Sequence, residues 1–391
     1  MHKSHRISNI NEAGSDGWEV FLKARQMISE GVNVTELSIG EHDVRTDKSI
    51  LDAMHVSALA GNTGYAMVPG IQSLRQAIAE RVQERTGVLT GVDNVLITPG
   101  GQAGLFATHA ATCDPGDRAL YVEPFYTTYP STLRAQGLEA VSIPTRSHFG
   151  FQPQRADIEK FVQDARSLLI NSPNNPSGAI YSHDTMSMIA NVCSTHNLWL
   201  ISDEVYETQI WSSRHISPRS LPDMQERTLV IGSMSKSHAM TGSRIGWVVG
   251  PPDMIRHLID FATNTTYGVA GFVQEAALFA LAQGVKFEEN IAAPFKRRRE
   301  MTLDILKGFK TVKAIDPQGG MYVMLDIRAT SLSGIEFANR LLDRHHIAVM
   351  PGESFGQSAA GHLRIAMTIA DGAYRDALRT LCQFATEFAE S

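Results

Sequence analysis

The chain has little of what marks a secreted, membrane-spanning or nucleic-acid-binding protein. Among 391 residues it has three cysteines, Cys113, Cys193 and Cys382. They are odd in number and widely spaced, which excludes a disulfide framework and a Cys-x-x-Cys metal site. A reducing, cytoplasmic setting is the expectation. No window approaches the roughly 18 apolar residues of a membrane helix. The first 18 residues have no apolar centre, so no secretory signal is expected there. Positive charge is not in excess: 35 Lys and Arg against 41 Asp and Glu leave a net −6, which argues against nucleic acid or an acidic membrane as partner. The one basic run, Lys296-Arg297-Arg298-Arg299, falls in a stretch of helical periodicity and reads as a solvated helix face. His345 and His346 are adjacent, point apart on any regular element and have no third ligand at a familiar spacing, so they read as surface histidines rather than a metal site. Repeats and low-complexity segments are also missing.

What is there is the composition of an ordinary globular protein, 43% apolar and 19% charged, long enough for a large core and two domains. Short β-branched runs recur at Asn94–Thr98, Arg118–Val122, Glu139–Ile143, Ser167–Asn171, Leu198–Ser202, Thr228–Gly232 and Ile245–Val249. Several are apolar without alternation, as in strands buried on both faces. Helical patterns such as Gly101–Thr112 and His183–Asn197 lie between them, which predicts an α/β sheet covered by helices. Only 12 residues separate Gly232 from Ile245, short for a crossover helix, so the last strand is expected to run antiparallel in a mostly parallel sheet. From about 285 the pattern changes to a long helix (Val285–Phe309), strands at Gly319–Ile327, Ala348–Met350 and His362–Ala366, and a helix at Gly334–His346. The expectation is a large domain over 47–285 and a smaller α+β domain over 286–391, joined by the segment 1–46.

Four segments carry candidate chemistry. The sharpest is Ser233-Met234-Ser235-Lys236-Ser237, with Gly242, Arg244, Gly246 and Trp247 following. It begins where a buried strand ends, and in open α/β sheets ligands bind beyond the carboxyl ends of the strands. A lysine among small hydroxyl residues can approach a ligand closely and form a Schiff base when burial or nearby cations lower its pKa. Arg244 is a candidate phosphate ligand. Taken alone, the segment also suits a surface lysine beside a turn. The second, Ser202-Asp203-Glu204-Val205-Tyr206, ends another strand in an acid that can keep a pyridinium nitrogen protonated. It can equally be a helix cap. The third, Asn171-Ser172-Pro173-Asn174-Asn175-Pro176-Ser177-Gly178, is a turn whose Asn175 amide can donate to a phenolic oxygen or carboxylate. The fourth, Thr98-Pro99-Gly100-Gly101-Gln102, is a strand–glycine–helix junction able to hold an anion, though it matches neither the dinucleotide nor the Walker A spacing. A fifth motif, Gly352-Glu353-Ser354-Phe355-Gly356, fits the nucleophile-elbow pattern. Only 37 residues follow Ser354, and His362 precedes Asp371, so the order of acid and base is wrong and a glycine-rich turn is the reading.

Together the segments resemble the class I/II aminotransferases of the aspartate aminotransferase fold family (fold type I), from about Leu37 to Thr368. The resemblance implies a mostly parallel seven-stranded sheet, pyridoxal 5′-phosphate as cofactor, and transfer of an amino group from an L-amino acid to a 2-oxo acid through a ping-pong cycle. Lys236 is then the Schiff-base lysine and proton carrier. Asp203 pairs with the pyridine nitrogen, and Asn175 and Tyr206 bond its phenolic oxygen. Gly101, Gln102, Ser233, Ser235 and Arg244 hold the phosphate, and Tyr126 stacks on the ring. Tyr65 matches a tyrosine that reaches the phosphate of the other subunit, which implies a homodimer. Arg364 matches the arginine that clamps the substrate α-carboxylate, and Gly40 a glycine whose backbone lies over the substrate. The chain departs from the family's usual pattern at Gly40-Glu41-His42-Asp43, where Pro is common at the third position, at Ser177 for Thr, and at Pro99 for Asn. His42 is expected near the substrate entrance. A C–S lyase or decarboxylase on the same scaffold shares the lysine and aspartate and stands as the alternative. A non-catalytic regulator would need an added DNA-binding domain that the first 45 or so residues do not pattern for.

Overall fold

The computed structural model describes residues 1–11 and 17–389. In chain order the strands are β1 (Thr35–Glu36), β2 (Val95–Thr98), β3 (Arg118–Val122), β4 (Glu139–Ile143), β5 (Ala165–Asn171), β6 (Trp199–Asp203), β7 (Thr228–Ser233), β8 (Gly246–Val249), β9 (Lys313–Ile315), β10 (Tyr322–Asp326), β11 (Ile347–Ala348), β12 (Met350–Pro351) and β13 (His362–Ala366). Seven of them form the main sheet in the order β2-β8-β7-β6-β5-β3-β4. The pairs β3–β4, β3–β5, β5–β6 and β6–β7 are parallel. β8 is antiparallel to both its neighbours, as the short connection before it predicts. Strands β2, β7 and β8 are buried along their whole length. Helices cover both faces, which is why the strand sequences read as continuous apolar runs.

This topology fixes where chemistry collects. The carboxyl ends of β2, β5, β6 and β7 lie along one edge and deliver Gly100-Gly101, Asn171–Asn175, Asp203 and Ser233–Lys236 to it. Because β8 runs the other way, its amino end reaches the same edge and brings Arg244, which sits in the left-handed region at φ +50°. One reversed strand thus places a guanidinium beside the glycine turn after β2.

A second sheet, β12-β13-β10-β9, is antiparallel and packs with the helices Val285–Leu306, Gly334–His345 and Asp371–Ala389. Its core includes Phe295, Phe337, Leu341, Leu363 and Phe384, together with Val20, Ala24 and Leu37 from early in the chain. β1 pairs in parallel with β11, and the Leu37 and Ala366 backbones are bonded at 2.8 Å, so the chain is led across this sheet towards the cavity at Ser38–Glu41. The predicted single strand Ala348–Met350 is two: β11 pairs with β1 and β12 with β13, a split of partners that no local pattern announces. The solvated reading of the basic run fails at Arg298. It is buried and forked onto Asp43 at 2.6 and 3.0 Å, and it also reaches Asp371 at 2.8 Å and the Met367 carbonyl at 2.9 Å. Arg299 is mostly covered too, donating to the Pro317 carbonyl at 2.7 Å and to Asp316 at 3.0 Å. Lys296 and Arg297 do face solvent, Arg297 beside Asp371 at 3.3 Å. His346 is an exposed helix cap, and His345 is half-buried with its ring edge-on to Phe384.

Candidate active site

A cavity of about 460 Å³ opens at this edge of the main sheet. Gly40, Gly101, Gln102, Tyr126, Asn175 and Asp203 line it, as do Tyr206, Ser233, Ser235, Lys236, Arg244 and Arg364. Residues from eight separate chain segments therefore meet in one cavity. Tyr65 alone among the candidates does not. It is 93% exposed and meets Tyr267 edge-on at 5.2 Å.

Lys236 sits on the short helix Met234–Ser237, capped by the Ser233 hydroxyl, which accepts from the Ser235 N–H at 3.1 Å. Its amine donates to the Gly40 carbonyl at 2.6 Å. Burial lowers its pKa, so more of it is neutral and nucleophilic at a given pH than of a surface lysine. A Cβ on Gly40 would stand 1.6 Å from the Tyr322 hydroxyl, so only glycine lets this backbone lie over the lysine. The Lys236 carbonyl accepts from Gln209 at 3.2 Å and meets the His42 ring at 3.0 Å. His42 is therefore not at the substrate entrance. It is 5% exposed, edge-on to Phe295, outside the cavity lining, and burial holds its pKa down to about 4, so it is a neutral prop beneath the lysine backbone.

Asp203 is buried, and desolvation pushes its pKa up to about 6. Its oxygens accept from the Tyr129 hydroxyl at 2.6 Å and the Val205 N–H at 3.3 Å, both neutral donors. Asn171 ties the turn together: its amide donates to the Asp203 carbonyl at 2.9 Å and its oxygen accepts from the Asn175 N–H at 2.7 Å. Asn175 in turn accepts from Arg364 at 3.0 Å. The Arg364 guanidinium lies over Tyr322 (4.4 Å) and Phe355 (4.6 Å), donates to the Ser38 carbonyl, and keeps a buried Nε without a partner. On the opposite side, Arg244 is held by the Thr241 carbonyl at 2.9 Å. Gly100 at φ +81° leaves it room, since a Cβ there would lie 2.3 Å from Arg244 Nη2. The Gln102 side chain is bonded to Thr132 at 2.7 Å and Thr128 at 3.1 Å, which leaves its backbone, not its amide, to face a ligand.

Sequence reasoning missed Tyr129, Tyr322 and Trp18, all of which line the cavity. Tyr129 had a usable signal, three residues after Tyr126 at the start of a helical turn. Tyr322 and Trp18 had none, because only the second sheet and the early helix bring them here. The Gly352–Phe355 stretch is a 3₁₀ turn whose Ser354 hydroxyl donates to the Gly17 carbonyl at 2.7 Å, so the elbow reading is excluded. Among the described residues there is no His, Cys, Asp and Glu cluster able to hold a metal, and no helix long and apolar enough to cross a membrane.

The family model for aminotransferase class I and II matches residues 32–381. The chain belongs to this family. It is 40% identical over 388 residues to an arginine–pyruvate transaminase of Pseudomonas aeruginosa, covering 99% of each chain. It is 31% identical to an aspartate/prephenate aminotransferase of Thermus thermophilus, covering 92% of this chain and 93% of that one. The structure of Thermus thermophilus aspartate aminotransferase with maleate superposes with a TM-score of 0.91 at 30% identity, over 98% of this chain and all of that one. The chain is an aminotransferase acting on amino acids and 2-oxo acids, and these relatives give the lyase and decarboxylase alternatives no support.

Proposed function

We propose that this aminotransferase carries pyridoxal 5′-phosphate on Lys236 and works as a cytoplasmic homodimer. The observation that carries the reading is one cavity holding a buried lysine amine, a buried aspartate with no cationic partner and a buried arginine with an unused N–H. These residues fit the cofactor. Asp203, bonded only to neutral donors, has a charge left for a protonated ring nitrogen. Arg364, with Nε free, has a donor left for a carboxylate. Gly101, Gln102, Ser233, Ser235 and Arg244 are a cradle for a phosphate, through backbone N–H groups, hydroxyls and a guanidinium. Asn175 spends its oxygen on Arg364, so its amide N–H₂ is left for the phenolic oxygen, and the Tyr206 hydroxyl, held only by a 3.5 Å bond to Tyr322, can turn to it. Tyr126 backs the ring.

Bound there, pyridoxal phosphate supplies an electron sink for the bond at the substrate Cα. The chain's residues do the rest. Arg364 and the Gly40 backbone fix the α-carboxylate and the substrate beneath it. The Lys236 amine, once free, would be the base already positioned to take the Cα proton and to return it. Asp203 holds the proton on the ring nitrogen throughout. The described residues of 1–46 and 286–391 are taken as the smaller body, set against 47–285, with the Ser38–Glu41 segment spanning the cavity between them; 12–16 and 390–391 lie outside the described residues. The three cysteines, free and buried, suit a reducing compartment.

Borohydride reduction of the purified yellow protein followed by peptide mass analysis should place the cofactor on Lys236. Lys236→Ala should fold, bind cofactor non-covalently and lose about 10³-fold or more in turnover. Near-normal transamination by that folded variant overturns the assignment.

A further inference from the structure

Among the described residues the cavity holds three cations, and the proposed function commits all of them: Lys236 to the cofactor, Arg244 to its phosphate and Arg364 to the substrate α-carboxylate. Nothing positive is left for a second carboxylate. Arg45 lies outside the lining, 87% exposed. Lys23 is paired with Asp343 at 2.6 Å, away from the cavity, and Arg256 faces solvent on the helix Pro252–Thr263. The segments that carry Tyr65 and Tyr267, residues 60–71 and 263–274, contain no charged residue. A second copy presenting them to the cavity brings aromatic faces and no cation from these segments.

What remains of the lining has the opposite character. Besides Asp203, its one acid among the described residues is Glu41, next to the glycine that lies over the lysine. The Glu41 side chain is 52% exposed. It accepts only a 3.3 Å bond from the Thr241 hydroxyl and has Arg45 at 4.0 Å, so its charge is available. Its field reaches Lys236, whose charged form it favours. Trp18, edge-on to Phe21 at 5.4 Å, and Leu105 complete an aromatic and apolar wall. A methylene stem packs on such a wall, and a cation is attracted to its ring face.

We infer that the amino donor has a long basic side chain, whose distal cation is taken by Glu41 and whose stem lies along Trp18, and that dicarboxylic donors are disfavoured. This rests on the reading of Lys236 and Arg364 above. The test is the first half-reaction of the loaded enzyme, followed as loss of its visible absorbance. The donors are L-arginine, L-citrulline (nearly the same length, uncharged), L-lysine, L-norleucine, L-aspartate and L-glutamate. Arginine should exceed citrulline in kcat/KM by about two- to five-fold, the scale of a half-exposed ion pair. Aspartate and glutamate should fall below both. Glu41→Gln should bring the arginine-to-citrulline ratio to about one, and Glu41→Lys should invert the order of arginine and glutamate. A visible band bleached best by aspartate or glutamate, or a ratio unchanged in Glu41→Gln, overturns this inference alone. A band bleached by no donor overturns the transamination reading and this inference with it.

Discussion

Asp203 shows at the scale of one residue how a site is held against the preference of the fold. Its folded pKa of about 6 lies above the ordinary 3.8, so between those values the folded chain binds more protons than the unfolded chain. Without cofactor, the buried charge therefore costs nothing below about pH 4, and the cost grows as pH rises to 6 and is constant above. Asp203→Asn keeps an acceptor for Tyr129 and removes the charge. In cofactor-free protein it should raise the unfolding free energy at pH 8 by about 2–3 kcal/mol, a gain that disappears by pH 4. Urea titrations at the two pH values check this, and an equal gain at both would show that charge is not the cause. In the loaded enzyme the same change should lower kcat on the order of 10²-fold, because the ring nitrogen loses its partner. The types of group needed here were legible in the sequence: an acid at a strand end, a lysine among small residues, an arginine eight positions later. What was not legible was their support. Tyr129 and Tyr322 come into contact with Asp203 and Gly40 only through packing between elements, and His42 went beneath the lysine because its ring fits against Phe295.

At the scale of elements, the joint that bears most directly on the site is where β8 meets the glycine turn after β2. A Cβ on Gly246 would lie 2.6 Å from the Gly232 carbonyl and 2.9 Å from the Gly100 and Gly101 backbones. No flexible side chain can give way there. Gly246→Ala should cost about 2–3 kcal/mol by overpacking and weaken phosphate binding, since the turn must shift. Denaturation and cofactor titration of the same variant read both effects; wild-type behaviour in both would mean the joint is loose. The short connection before β8 foretold its reversal, because chain length limits crossover geometry. The fate of Arg298 was not foretold. A run of four basic residues looks solvated until Asp43 and Asp371, from distant segments, close on one of them. Arg298→Met should cost about 3 kcal/mol by leaving Asp43 without its cation and Asp371 with Arg297 alone, with thermal unfolding as the measure. A loss under 0.5 kcal/mol would return the run to the solvated reading, as for an ordinary surface change.

The whole molecule presents a surface that a single chain does not explain. Leu51, Val56 and Leu59 on the helix Lys48–Leu59, then Tyr65, Met67 and Tyr267, are large apolar side chains left exposed on adjoining segments. Exposed apolar surface of this kind is common where proteins meet partners. The same segments carry the one cofactor candidate missing from the chain's own cavity. Both facts have one cause if a second copy covers the patch and receives Tyr65, as a two-fold interface requires of both partners. Two outcomes follow. Leu59→Glu with Met67→Glu should convert a dimer into a monomer in sedimentation and loosen the cofactor. More decisively, Lys236→Ala and Tyr65→Ala, each impaired alone, should regain activity when mixed. In the mixed dimer one site joins the intact lysine of one copy to the intact tyrosine of the other. Random exchange should restore roughly a quarter of the wild-type sites. If Tyr65 served its own chain's cavity, no mixed dimer would contain an intact site, and mixing would restore nothing.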